Sequence, residues 1–255
     1  MADAELLREA VREAGALARS LFRQSVKRWT KSDGSPVTEA DLAVDKVLKA
    51  RLTAARPEFG WLSEETPDTA ERLARRAVWI VDPIDGTRAF AHGGDEWCVA
   101  VALLVEGRPV LAAIYRPMTD DFYEARHGEG ATLNGEPLRM SDARGLAGAR
   151  ILGNASALKQ LQAKVPVEAV SSGNTPLAMR LALVAQGDLE AALSTSPKHD
   201  WDLAAGDLLV HEAGGTVTGL DGKSFIYNRR ETRQANYVAS SHALHAALLE
   251  QLGLP

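Results

Sequence analysis

The stretch WIVDPIDGTRAF, Trp79 to Phe90, decides how the rest of the chain is read. An apolar run, Val78-Trp79-Ile80-Val81, ends in Asp82 and Asp85, and Gly86-Thr87 follow directly. The run reads as a buried strand with Asp82 at its carboxyl end, where open sheets expose their sites. Pro83 stiffens the turn and donates no hydrogen bond. Two carboxylates held this close raise each other's pKa unless a cation lies between them. Hard oxygen ligands suit Mg²⁺, which keeps several waters and commonly also binds phosphate. Gly86-Thr87 can then open a helix whose free N–H groups and positive dipole end receive an anion. An ordinary strand end with acidic turn residues has the same composition, so the segment alone leaves both readings open.

Three further acidic clusters bear on the choice. Glu64-Glu65 end the short strand GWLSEET; adjacent glutamates are usually surface charge. In WDLAAGDLLVHEAGG, Trp201 to Gly215, Asp202 starts a helix with Leu203, Leu208, Leu209 and Val210 on its apolar face, and Gly214-Gly215 end it. An ordinary N-cap explains Asp202 equally well in isolation. In VTEADLAVD, Asp41 and Asp45 lie four apart on one face of a helix capped by Thr38 or Ser35, and a solvated face would account for them.

Taken together, Glu64-Glu65, DPIDGT and WDLAAG…EAGG, preceded by VTEAD, resemble the inositol monophosphatase superfamily over nearly the whole chain and in the family's order. The resemblance implies a sugar-phosphatase fold, a layered αβαβα sandwich of mixed α+β and α/β character. It implies a phosphoric monoester hydrolase using two to three Mg²⁺ ions and inhibited by Li⁺. Glu64, Asp82 and the carbonyl of Ile84 would hold the first ion. Asp82, Asp85 and Asp202 would hold the second, and Glu64, with waters ordered by Asp41, a third. Gly86 and Thr87 would receive the phosphate, while Thr87 and Glu64 orient and deprotonate the attacking water. Asp45 and Glu65 would support these groups from behind. A haloacid dehalogenase-type reading fails on spacing: two residues before Asp85 stands Pro83, which cannot act as a nucleophile.

The bulk composition agrees with a soluble globular enzyme: 255 residues, 45% apolar, 25% charged, formal net charge -5. That charge argues against a nucleic-acid polymer as partner. The single cysteine, Cys98, lies in an apolar run and permits no internal disulfide, which fits a cytoplasmic protein. The N-terminal 22 residues form an amphipathic helix rather than a signal, and no apolar run is long enough to span a membrane. Short apolar runs from Trp97 onward, with the hairpin signal Asn134-Gly135, read as an antiparallel meander; beyond residue 146 helices and strands alternate. The expected division is an N-terminal lobe, 1–145, carrying most metal ligands, and a C-terminal lobe, 146–255, carrying Asp202 and substrate-facing loops. A homodimer is compatible with all of this.

For the substrate, a small phosphorylated metabolite, the signals are thinner. Arg88 follows DGT, and Lys198 lies in the loop LSTSPKHDWD, where Thr195 falls near the place of a glutamate in the inositol type. Both cations suit a second phosphate, and the tail IYNRRETR is similar to the nucleotidase branch. The expectation is a 3'(2'),5'-bisphosphate nucleotide such as adenosine 3',5'-bisphosphate. Inositol 1-phosphate, histidinol phosphate or another sugar phosphate are the alternatives, and a non-catalytic metal-dependent sensor is a remote one. His199 and Asp200, flanking the metal motif, are further candidates for substrate contact.

Overall fold

The computed structural model describes residues 2–24, 26–31 and 34–253. Two helices, α1 (Asp3–Leu21) and α2 (Glu39–Ala55), flank a two-stranded ribbon, β1 (Arg28–Thr30) and β2 (Pro36–Thr38). The Ser32-Asp33 part of the expected loop lies outside the described residues. Of the two expected caps for α2, Thr38 is the one used: its hydroxyl accepts from the Ala40 N–H at 3.2 Å, and its own N–H donates to Asp41 at 2.8 Å.

A seven-stranded sheet follows: β3 (Gly60–Ser63), β4 (Ala77–Asp85), β5 (Cys98–Val105), β6 (Arg108–Arg116), β7 (Asp121–Arg126), β8 (Gly130–Leu133) and β9 (Glu136–Pro137). Spatial order equals chain order; β3 and β4 are parallel and every later pair is antiparallel. The meander expected after Trp97 is present. Asn134 and Gly135 both have positive φ, 51° and 88°, as a tight hairpin turn requires. Between β4 and β5 the chain makes one short helix, α3 (Thr87–Ala91).

The second half builds β10 (Arg150–Gly153), α4 (Ala155–Gln162), β11 (Glu168–Ser171), α5 (Leu177–Ala185), β12 (Ala191–Ser194), β13 (Lys198–His199), α6 (Asp200–Glu212), β14 (Gly215–Thr218), β15 (Arg233–Gln234), β16 (Tyr237–Ser241) and α7 (His242–Leu252). Five of these strands form a sheet in the order β11-β10-β12-β16-β14, and β13 pairs with β15 as a separate ribbon.

The burial pattern of β4 shows why the layers stack. Trp79 and Val81 join a core with Leu6, Val11, Leu48 and Leu52 of α1 and α2. Val78 and Ile80 point the other way, into a core with Leu181 of α5 and Leu203 and Leu209 of α6. A strand covered on both faces must read as a continuous apolar run, which is what the sequence shows. The five-stranded sheet lies beyond α5 and α6, and its outer face is covered by Leu158 and Leu161 of α4 and Leu244 and Leu248 of α7. The result is the expected αβαβα sandwich.

Arg72 ties the end of the first half to the second. It lies on a 3-10 turn (Ala70–Ala74) after the Glu64-Glu65 loop and is only 2% exposed. Its guanidinium donates to Asp68, to Asn228 Oδ1 at 2.7 Å and to the carbonyl of Arg229 at 3.1 Å. Asp200, fully buried at the start of α6, accepts from the Asn228 N–H at 2.8 Å and from Gln234 at 2.9 Å. Asp200 therefore faces the interior and not a substrate, contrary to the sequence expectation.

Candidate active site

Five carboxylates, from Asp41, Glu64, Asp82, Asp85 and Asp202, meet where these layers end. The β4 ladder slips register between Asp82 and Asp85, so the strand continues through a bulge rather than stopping at Asp82. The slip turns both aspartates toward one site. Glu64 follows β3 and is pinned to β4 by its N–H, 3.1 Å from the Val81 carbonyl.

Three of these carboxylates sit at the starts of long helices. Asp41 is the third residue of α2. Asp202 is the third residue of α6, not its cap, and accepts from the His199 N–H at 2.7 Å. Asp85 accepts from the Ala178 N–H at 2.7 Å, in the first turn of α5. Each carboxylate is thus oriented by a helix N-terminus, a favourable place for negative charge. Solvated-face and surface readings of Asp41, Asp45 and Glu65 fail: Asp41 is 1% exposed, Asp45 is 7%, and the Glu65 side chain is 4%. Asp45 accepts from Ser63 and from Thr66 at 2.6 Å, anchoring the loop that carries the two glutamates.

Thr87 Oγ1 lies 2.8 Å from Asp41 Oδ1 and 2.9 Å from the Ile84 carbonyl oxygen. Its single proton serves only one of them at a time. Gly86, with φ +99°, turns the chain from β4 into α3. Arg88 is exposed beside it and Lys198 is half-buried across the opening. Both line a cavity of about 270 Å³ with Asp85, Gly86, Arg180 and Asp202.

Two cations of the site escape a reading of the sequence. Lys31 Nζ lies 2.8 Å from Glu64 Oε1 and 2.7 Å from Glu65 Oε1. Burial pulls the Lys31 pKa down, and the two glutamates more than reverse that. Nothing in its loop marks it. Arg180 does carry a signal, a lone charge within the apolar helix LAMRLALVA. Its Nε donates to the Thr175 carbonyl at 2.9 Å.

The donor set fits hard divalent cations. Asp82 is 2% exposed, and its Oδ1 is buried without a hydrogen-bond partner. Burial lifts its pKa well above the usual carboxylate range, and the charges of Glu64, Asp85, Asp202 and Asp41 add to this. Burial also lifts Asp85 to about 6 and Asp202 to about 7. Glu65 rises to about 7 because its burial outweighs the contact with Lys31. Among the described residues, no three acidic, histidine or cysteine side chains already stand as a closed ligand cage. Gathered, mutually repelling carboxylates are the donor chemistry an all-oxygen Mg²⁺ site requires.

In the unfolded chain these acids return to roughly 4. The folded metal-free protein therefore holds more protons than the unfolded chain between pH about 4 and 7, and stability falls as pH rises through that window. In EDTA, Tm should drop from about pH 5 to about pH 8, and Mg²⁺ should raise it most at the upper end. A Tm in EDTA that climbs over the same range would refute this electrostatic account.

Comparison with known proteins agrees with the geometry. Residues 3–254 match the model of the inositol monophosphatase family. An inositol-1-monophosphatase of Mesorhizobium japonicum is 34% identical over 100% of this chain and 98% of its own. A 3'(2'),5'-bisphosphate nucleotidase, CysQ, of Aggregatibacter actinomycetemcomitans is 34% identical over 88% of this chain and 87% of its own. The crystal structure of the suhB protein from Bartonella henselae superposes with a TM-score of 0.84, at 29% identity, over 97% of each chain. The chain belongs to the inositol monophosphatase family. It is a phosphoric monoester hydrolase, and the family to which it belongs is Mg²⁺-dependent. Among the described residues, no helix is long and apolar enough to cross a membrane.

Proposed function

We propose that this phosphatase removes phosphate from a small metabolite bearing a second phosphate, of the class of adenosine 3',5'-bisphosphate. The supporting observation is the rim: Arg88, Arg180 and Lys198 line one cavity beside Asp85 and Asp202. None of the three forms an ion pair with a carboxylate among the described residues. Burial depresses the Lys198 pKa, Asp202 opposes that, and Arg180 lowers it further. Cations that repel one another across a small opening favour an anion between them. Inositol 1-phosphate is the second reading, carried by the M. japonicum relative, which matches this chain over its whole length.

In this reading Glu64, Asp82 and the Ile84 carbonyl would hold one Mg²⁺, Asp82, Asp85 and Asp202 would hold a second, and Glu64, with waters ordered by Asp41, would hold a third. The ions, when bound, neutralise the carboxylates, polarise the phosphate and acidify a water. The protein supplies the rest. The backbone at Gly86 and Thr87 receives phosphate oxygens. Thr87 is placed to take a proton from the attacking water while passing its own to Asp41, 2.8 Å away, and Glu64 orients that water. Arg88, Arg180 and Lys198 hold the second anionic group and so fix which ester faces the carboxylates.

The test is phosphate release from adenosine 3',5'-bisphosphate and inositol 1-phosphate, side by side, with Mg²⁺ or EDTA. Arg180→Gln should lower kcat/KM for the bisphosphate about 10- to 100-fold, the worth of one charge-assisted contact, and spare the monophosphate. Equal losses on both substrates would remove the second-phosphate reading while leaving the phosphatase chemistry in place.

A further inference from the structure

Outside the active site, a cavity of about 460 Å³ lies on the other side of α6, within the usual range for small-molecule sites of about 300–1,000 Å³. It opens where the β5–β6 ladder slips register at Leu103/Leu104, just before the start of β6 at Arg108-Pro109. The loop after β14 is held across it from outside. The Tyr227 N–H donates to the Gly107 carbonyl at 3.0 Å, and Arg108 Nη1 donates to the Phe225 carbonyl at 2.6 Å. Val105, Pro109, Val110, Leu208 and Val217 give it apolar walls.

One side chain does not belong in such a wall. Asp207 lies midway along α6, between the core residues Gly206 and Leu208, and lines the cavity. Asp207 is half-buried, and a carboxylate so placed is unfavourable unless it is partnered. Asp207 is half-partnered. Its Oδ2 accepts from the hydroxyl of Tyr227, itself 1% exposed, at 2.7 Å. That bond fixes the plane of the carboxylate, while Oδ1 has no hydrogen-bond partner among the described residues and is left to the cavity. Arg108 also lines the cavity, with its Nη1 turned to the Phe225 carbonyl. His211 follows one turn later on the same face of α6, and His127 leans toward Glu212 at 3.4 Å.

We propose that this cavity is a second binding site and that it takes a small organic ammonium compound with an apolar body. The ammonium N–H groups meet Asp207 Oδ1 in a charge-assisted hydrogen bond, and the apolar body fills the space between Leu208, Val217 and Pro109. Asp207 disfavours a phosphate ester, since the two charges would face each other. The two sites therefore sort ligands by opposite charge. The occupant rests on the helix that carries Asp202 five residues earlier, about 7.5 Å along the axis.

Benzylamine is a suitable probe, with benzyl alcohol as its uncharged isostere. Each is titrated into the ¹⁵N-labelled protein at saturating Mg²⁺, so that the catalytic carboxylates are occupied. Benzylamine should give saturable amide shifts at residues 107, 108 and 110, 207–211 and 216–217, and bind at least about tenfold more tightly than the alcohol. Asp207→Asn keeps an acceptor for Tyr227 and should weaken benzylamine about tenfold with phosphate release unchanged. Ser224→Trp, at the exposed mouth of the cavity and away from the core, should block the same shifts. The proposal falls if the shifts are absent, if they centre on the catalytic carboxylates, if amine and alcohol bind alike, or if neither variant changes them.

Discussion

Asp82→Asn is expected to abolish phosphate release while leaving the metal-free protein at least as stable as the wild type. The two halves of that result have one cause. Asp82 is buried, its Oδ1 has no partner, and burial together with four neighbouring carboxylates holds its pKa far above normal. Without metal its ionised form is strongly disfavoured, and an uncharged amide of the same shape removes that repulsion at little cost. With Mg²⁺ the comparison reverses, because a side chain that would hold the ion has lost its charge. Wild-type protein at a hundredfold excess of ion over Kd should gain about 2.7 kcal/mol, and the variant should lose most of that gain. Activity should fall by about 10³ or more, equivalent to about 4 kcal/mol in the barrier. Melting curves with and without Mg²⁺, read beside kcat/KM, separate these effects. A variant that keeps the wild-type Mg²⁺ response would remove Asp82 from the centre of the site.

Gly86→Ala should be nearly as damaging, through the backbone. Gly86 has φ +99°, where a side chain costs about 1–2 kcal/mol. A Cβ there would also stand 2.6 Å from the Glu96 carbonyl oxygen and 3.1 Å from both Pro176 and the Trp97 Cα. Two of these three neighbours are main-chain atoms and cannot swing aside. The turn into α3 must therefore shift, taking the Thr87 hydroxyl away from Asp41. The expected outcome is a stability loss of about 2 kcal/mol or more and at least a hundredfold loss of kcat, since displacements near 1 Å carry penalties of that size. Denaturant unfolding and phosphate release measure the two separately. Wild-type turnover would show that the Gly86-Thr87 backbone does not receive the phosphate.

Much of the fold and of the acidic centre is legible in the amino-acid sequence because the decisive signals are local. The apolar run of β4 must be covered on both faces, and Asn134-Gly135 must turn, whatever surrounds them. The ends of α2 and α6 are readable for the same reason, although Asp202 is the third residue of its helix rather than the cap. What stays hidden depends on contacts across the fold. Lys31 reaches Glu64 and Glu65 from 33 and 34 residues away, and no feature of its own loop points to them. Asp200, two residues before Asp202, looks equally available for substrate in the sequence, but the loop containing Asn228 and Gln234 turns it inward. Asp207 reads as an ordinary polar position within an amphipathic helix, because the loop that encloses it is 20 residues away at Tyr227. The lone arginine in α5 is the exception among these, a distant contact with a local mark: a single charge in an otherwise apolar helix.

The acids of the site come from positions 41, 64, 82, 85 and 202, and their helices reach it from both sheets. No short stretch of chain holds more than two of them. Contacts between distant segments form late in folding, because closing long loops loses entropy before any contact repays it. The proposed second ion needs Asp202, which arrives only when α6 packs on β4 of the seven-stranded sheet. Glu64, Asp82 and the Ile84 carbonyl all belong to that first sheet. Magnesium would therefore find part of its site early and lock the rest once the later helix has closed over it.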